Sequence, residues 1–148
     1  MLDWLLSPPL AVGTRAPDFS VPDQDGSRVT LSALRGKNVV LVFYPADDTS
    51  ICTIQLGAFR DHWAEAQARN TVVFGVNPAR SRAHQKFRDK YKFPFPLLID
   101  EGQKIAKLYQ ADGWFVPKRT VYLVGLDGVV RYARRGKPSP EEVLAAAA

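Results

Sequence analysis

The apolar positions change period along the chain, and each change marks an element. In "APDFSVPDQDGSRVTLSAL", residues 16–34, two short extended stretches flank the turn-forming pair Asp25 and Gly26, which predicts an N-terminal β-hairpin. "NVVLVFY", residues 38–44, is apolar without alternation, so it predicts a central strand covered on both faces and ended by Pro45. From Ser50 to Arg69 the period becomes helical, with Cys52, Leu56, Phe59, Trp63 and Ala66 on one stripe. "TVVFGV", residues 71–76, then reads as a second buried strand. Strand, helix, strand with short joints is a βαβ unit, so the two strands are expected to be parallel with a right-handed crossover.

The second half continues in the same manner. Ser81 is expected to cap a helix running to Tyr91, and the prolines of "FPFPLLID" mark an irregular entry to a short strand. A short helix is predicted around Gln103 to Tyr109. "TVYLV" and "VVRYA", joined by "GLDG", predict an antiparallel hairpin. Ser139, Pro140 and Glu142 together form the pattern of a capping box at a final helix. No repeat or linker interrupts the series, so the reading is one α/β domain over residues 1–148, with residues 1–12 as an N-terminal arm.

Composition narrows the function classes. With 46% hydrophobic and 24% charged residues, no stretch approaches the roughly 18 uninterrupted apolar residues of a membrane span, so no membrane association is expected. The opening "MLDWLLSPPL" carries Asp3, lacks basic leading residues and stops at Pro8 and Pro9; it is expected to be a packing arm rather than a secretory signal. The net charge of +5 is spread along the whole chain, which fits a solvated basic surface and not a nucleic-acid partner. The chain's one cysteine cannot form an internal disulfide, and a reducing compartment, the cytoplasm, is the expected location.

That cysteine, Cys52, carries the chemical interest. The turn from the first strand of a βαβ unit into its helix lies at the carboxyl edge of the sheet, where open α/β proteins place their sites. The first turn of a helix has unpaired N–H groups and the positive end of the dipole, both of which favour an anion such as a thiolate. Cys52 also begins an apolar stripe, so its position alone fits a small buried hydrophobe equally well. Asp47 and Asp48 suit a helix start but would repel a thiolate, and a cation must compensate. Arg119, just before the strand "TVYLV", is the candidate, although one arginine among many is more often a surface charge. Thr49, three residues before Cys52, either caps the helix or offers a further hydrogen bond at its start.

Other chemistries fit the residues poorly. "CTIQ" lacks the second cysteine of a C-x-x-C motif, and one cysteine with two histidines does not make a usual zinc site. His62 and His84 fall on or near charged helical faces and read as solvated. "LRGKN" is no phosphate loop, since Leu31 stands where the first glycine belongs and Asn38 where the hydroxyl belongs. Phe43, Phe59, Trp63 and Tyr122 fit core positions, whereas "DGWFVPK", residues 112–118, puts two large aromatics in a short loop suited to a partner.

"PADDTSIC" matches the P-x-x-x-T-x-x-C signature of peroxiredoxins, and "FYP" before it and "AFRD" after it resemble the bacterioferritin-comigratory or Q-type branch. The resemblance runs from "GTRAPDF" and "DQDG" through "LRGKNVVLVFYP" to "RTVYLVGLDGVV". It implies a thioredoxin-like fold with an added N-terminal β-hairpin and no cofactor. It also implies that Cys52 is the peroxidatic cysteine, Thr49 the site hydroxyl, Pro45 the shield of the pocket and Arg119 the guanidinium before the strand. Gln55 occupies a polar position commonly held by Glu in this branch, and is implied as substrate-binding.

Two departures stand out. Gly57 occupies the position where many of this branch carry a resolving cysteine, and "SI" at residues 50 and 51 replaces a frequent Pro-Gly. The resemblance therefore implies a one-cysteine peroxidase acting on hydrogen peroxide and organic hydroperoxides. An external thiol, either a thioredoxin- or glutaredoxin-like protein or a small thiol, would regenerate a monomer or homodimer. The alternative is a non-catalytic redox sensor that passes oxidation to a partner protein. A glutathione-peroxidase-like enzyme fits "TSIC" less well.

Overall fold

The computed structural model describes residues 7–148. Its centre is a five-stranded sheet in the order β5-β4-β3-β6-β7, formed by β3 (Asn38–Phe43), β4 (Thr71–Asn77), β5 (Leu97–Ile99), β6 (Thr120–Val124) and β7 (Val130–Arg135). β3 pairs in parallel with β4 and β4 with β5, while β3–β6 and β6–β7 are antiparallel, so the sheet is mixed. The predicted N-terminal hairpin is a separate two-stranded sheet of β1 (Ser20–Pro22) and β2 (Arg28–Thr30). Its turn is closed by the Asp23 carboxylate, which accepts from the Asp25 and Ser27 amides, and by Gly26 at φ +83.

The unbroken apolar run of β3 has a simple cause: every residue in it is buried, because both faces of the sheet are covered. Val39, Leu41 and Phe43 face a layer containing Phe19, Leu31, Ile105 and Tyr109, contributed by the hairpin side of the molecule and by α4 (Lys104–Leu108). Val40, Val42 and Tyr44 face the other layer. That layer is built from α1 (Ser50–Asp61), α2 (Trp63–Ala68), α3 (Ser81–Tyr91) and α5 (Pro140–Leu144), whose Cys52, Leu56, Phe59, Ala66, Phe87, Val143 and Leu144 meet the sheet. Side chains alternate across a strand, so one sequence run feeds two cores.

The structure corrects several local expectations. The single helix expected over 50–69 is two, broken at His62, whose backbone leaves the helical range at φ −105 and ψ 18 and whose ring Nδ1 shares the Ala58 carbonyl with its own amide, at 2.9 Å and 3.2 Å. Trp63 beyond the break is only half-buried, against Phe95. Ser81 begins α3 without capping it, because its hydroxyl donates instead to the Gln24 carbonyl at 2.6 Å. The helix expected near Gln103 is shorter, a 3-10 turn followed by α4, and Asp100 holds its start by accepting from the Ile105 and Ala106 amides. At α5 only half of the capping box forms: Ser139 accepts from the Glu142 amide, but the Glu142 carboxylate bonds Tyr132 and Arg134. Of the proposed N-terminal arm, residues 1–6 lie outside the described residues. Further on, Leu10 packs on the core and its amide donates to the Tyr122 hydroxyl at 2.9 Å.

Gly75 in β4 is required by close approach. A Cβ there would lie 2.7 Å from Leu97 Cδ2 and 3.0 Å from Tyr44 Cε1. Gly75→Ala is therefore expected to cost about 1–3 kcal/mol through overpacking. A denaturant midpoint unchanged from that of the parent would contradict this.

Candidate active site

β3 ends at Phe43, and the segment Tyr44–Thr49 carries the chain over the edge of the sheet into α1. Asp48 takes a left-handed conformation, φ +56, which turns the chain so that α1 starts at Ser50. Cys52 is the third residue of the helix, on the face that meets the sheet, and is 1% exposed. Its amide belongs to the group that has no intrahelical acceptor. Thr49 stands at the N-cap position, but its hydroxyl donates to the Ala46 carbonyl at 3.1 Å, and among the described residues it has no hydrogen bond to the sulfur. Pro45 is half-buried at the strand exit.

Arg119 reaches this point through strand pairing. Phe43, the last residue of β3, faces Thr120, the first of β6, so the residue before β6 lies beside the exit of β3. There the Arg119 guanidinium donates through one Nη to Cys52 Sγ at 3.3 Å and through the other to Gln55 Oε1 at 2.6 Å. Gln55 lies one helical turn after Cys52 on the same buried face, and its amide donates onward to the Gly136 carbonyl at 3.3 Å. A charged donor is thus held against the sulfur by two fixed contacts, with a neutral amide as its second partner. Cys52, Arg119 and Gln55 are brought together; Thr49 and Pro45 lie on the connecting segment.

The two aspartates, expected to repel a thiolate, are directed elsewhere. The Lys90 ammonium and the Tyr91 hydroxyl hold the Asp48 carboxyl below its usual range, at 3.1 Å and 2.9 Å. Asp47 accepts from the Tyr44 hydroxyl at 2.6 Å and from Asn77 Nδ2 at 3.1 Å, and meets His84 Nδ1 at 2.6 Å. The reading of His84 as solvated is wrong: it is fully buried, because this carboxylate and the Leu98 carbonyl satisfy both ring nitrogens. Burial, then the neighbouring Asp47 charge, pushes the Tyr44 phenol well above its ordinary value, so it remains a donor. Only the S-x-x-H start of α3, facing an aspartate in the strand exit, could have signalled this cluster in the sequence.

Residues 12–133 match the AhpC/TSA family. The chain belongs to that family. Peroxiredoxin Q of Oryza sativa subsp. japonica, a chloroplastic protein, is 39% identical over 133 residues, covering 88% of this chain and 61% of its own length. A bcp peroxiredoxin of Coxiella burnetii is 36% identical over 132 residues, covering 82% of this chain and 85% of its own. The crystal structure of peroxidoxin BcpB from Mycobacterium tuberculosis superposes with a TM-score of 0.87 at 29% identity, over 93% of this chain and 96% of that one. The family member described here therefore has the thioredoxin-like peroxiredoxin fold with an N-terminal hairpin, and its relatives are of the Q and bcp type. It spans about three-fifths of the length of the plant relatives it matches.

Proposed function

We propose that this protein is a thiol-dependent peroxidase in which Cys52 reduces hydrogen peroxide and organic hydroperoxides and an external thiol restores it. The observation that carries the reading is the Arg119 guanidinium 3.3 Å from Cys52 Sγ, fixed by Gln55. In the first step the thiolate attacks the terminal peroxide oxygen. The O–O bond breaks, Cys52 becomes a sulfenic acid, and the alkoxide or hydroxide takes a proton and leaves as alcohol or water. Charge moves from sulfur onto oxygen, and the guanidinium, already in place, stabilises both ends without reorganising. Gln55 is a positioning group for Arg119. The Thr49 hydroxyl would serve the peroxide oxygen by turning from Ala46, and Pro45 would shield the strand exit.

The chain holds no second cysteine to trap the sulfenic acid. At residue 57, a side chain would meet Arg60, whose Nη2 lies 3.3 Å from the position a Cβ would take. The second thiol therefore comes from outside: it condenses with the sulfenic acid, releasing water and forming a mixed disulfide, and a further thiol displaces Cys52. The exposed Trp114 and Phe115, in the loop before Arg119, suit contact with a protein donor. Such a cycle needs a reducing compartment, the cytoplasm in this reading.

Mass spectrometry of the peroxide-treated protein with and without thiol donors tests the cycle. The expected products are mixed disulfide with donor and sulfinic monomer without it. A quantitative disulfide-linked dimer in the absence of donor would refute the external-thiol cycle. Rapid oxidation of Cys52 that no small thiol or thioredoxin- or glutaredoxin-like donor reverses would favour the sensor reading.

A further inference from the structure

We propose that His84 is a positioning residue: through Asp47 it latches the segment leading to Cys52, and so sets how readily the buried sulfur opens to an outside thiol. This rests on the external-thiol cycle above. With Cys52 1% exposed, no second thiol can approach along a disulfide-forming line unless the start of α1 moves. What resists that movement is visible in the preceding segment. Asp47 is bonded to three elements at once: Tyr44 at the exit of β3, Asn77 at the end of β4, and His84 on α3. The His84 and Asp47 side chains are 0% and 8% exposed.

The protons can be placed. The Leu98 carbonyl can only accept, so His84 Nε2 carries a hydrogen at 2.9 Å. A further proton lies between Nδ1 and Asp47 Oδ2, while Oδ1 accepts from Tyr44 and Asn77. Each polar side-chain atom of the pair has a partner, out of water, where a hydrogen-bonded network is strong and a broken one costly. Asp48 makes a second link to the other end of α3, but its contacts with Lys90 and Tyr91 are in solvent and contribute little. Neither Asp47 nor His84 hydrogen-bonds Cys52 or Arg119, so both act through the segment and not on the reacting atoms.

The test uses the reduced protein and no peroxide: the rate of Cys52 alkylation by a bulky maleimide. His84→Phe and Asp47→Ala are expected to raise that rate tenfold or more, equivalent to about 1.4 kcal/mol in the opening equilibrium. The increase should not depend on denaturant below the unfolding transition, which marks local rather than global opening. Asp47→Asn can accept from Tyr44 and Asn77 and donate to neutral His84, so it should stay within about 1.5-fold of the parent protein. If His84→Phe does not fold, Tyr44→Phe, which removes one donor to Asp47, should raise the rate by about threefold. Alkylation rates equal to the parent's in folded variants, or acceleration seen only where denaturant drives unfolding, would overturn the latch. Failure of the peroxidase reading would show differently, as a parent protein in which peroxide forms no sulfenic acid.

Discussion

Replacing Cys52 with serine is expected to abolish peroxide consumption while leaving the fold in place. The side chain packs among Val42, Tyr44 and Leu56 with almost no exposure, and serine nearly matches it in volume. Its hydroxyl can take the Arg119 donor that the sulfur now takes, so the pocket keeps its partners. What is lost is the nucleophile: a serine hydroxyl is weak without an adjacent base, and among the described residues no histidine reaches this position, since His84 is committed to Asp47 and Leu98. A fall in rate on the order of 10³ or more corresponds to about 4 kcal/mol of barrier. Stopped-flow peroxide consumption with a thiol donor, alongside a thermal melt, measures both halves. Turnover within tenfold of the parent would remove Cys52 from the mechanism.

The second large effect is expected at Arg119. Its side chain spends both ends of the guanidinium fork, one on Cys52 Sγ and one on Gln55 Oε1. Arg119→Ala should slow sulfenic-acid formation by at least tenfold, about 1.4 kcal/mol of barrier, with the folded state retained. Arg119→Lys should not restore the rate, because an ammonium is a single point charge and cannot hold Gln55 and face the sulfur in the same fixed geometry. Following sulfenic-acid formation by intrinsic fluorescence or by a dimedone-type trap checks this. A lysine variant at the parent's rate would mean that charge alone matters and that the contact with Gln55 does not.

These expectations rest on two levels of information. The sequence by itself determined the element order, because period and punctuation are local: the apolar run of β3, the helical stripe from Cys52 to Phe59, and the Asp25–Gly26 and "GLDG" turns appear where the pattern puts them. It also determined that Cys52 begins a helix after a strand, and, through "PADDTSIC", the family to which the chain belongs. The break at His62 escaped it because both halves keep the same apolar face, and only the His62 backbone, at φ −105 and ψ 18, departs from the helical conformation. Which arginine meets the sulfur was legible only as a possibility of position before a strand. The pairing of Phe43 with Thr120 decided it, and pairing between strands separated by more than seventy residues is not written in either strand's own pattern. The same holds for His84 and Asp47. On its own helix His84 looks solvated, among arginine, glutamine and lysine neighbours; the carboxylate and carbonyl that make its burial tolerable come from two other segments of the chain. A buried polar group is stable only when its hydrogen bonds are met, and the partners that meet them are assembled by the tertiary fold alone.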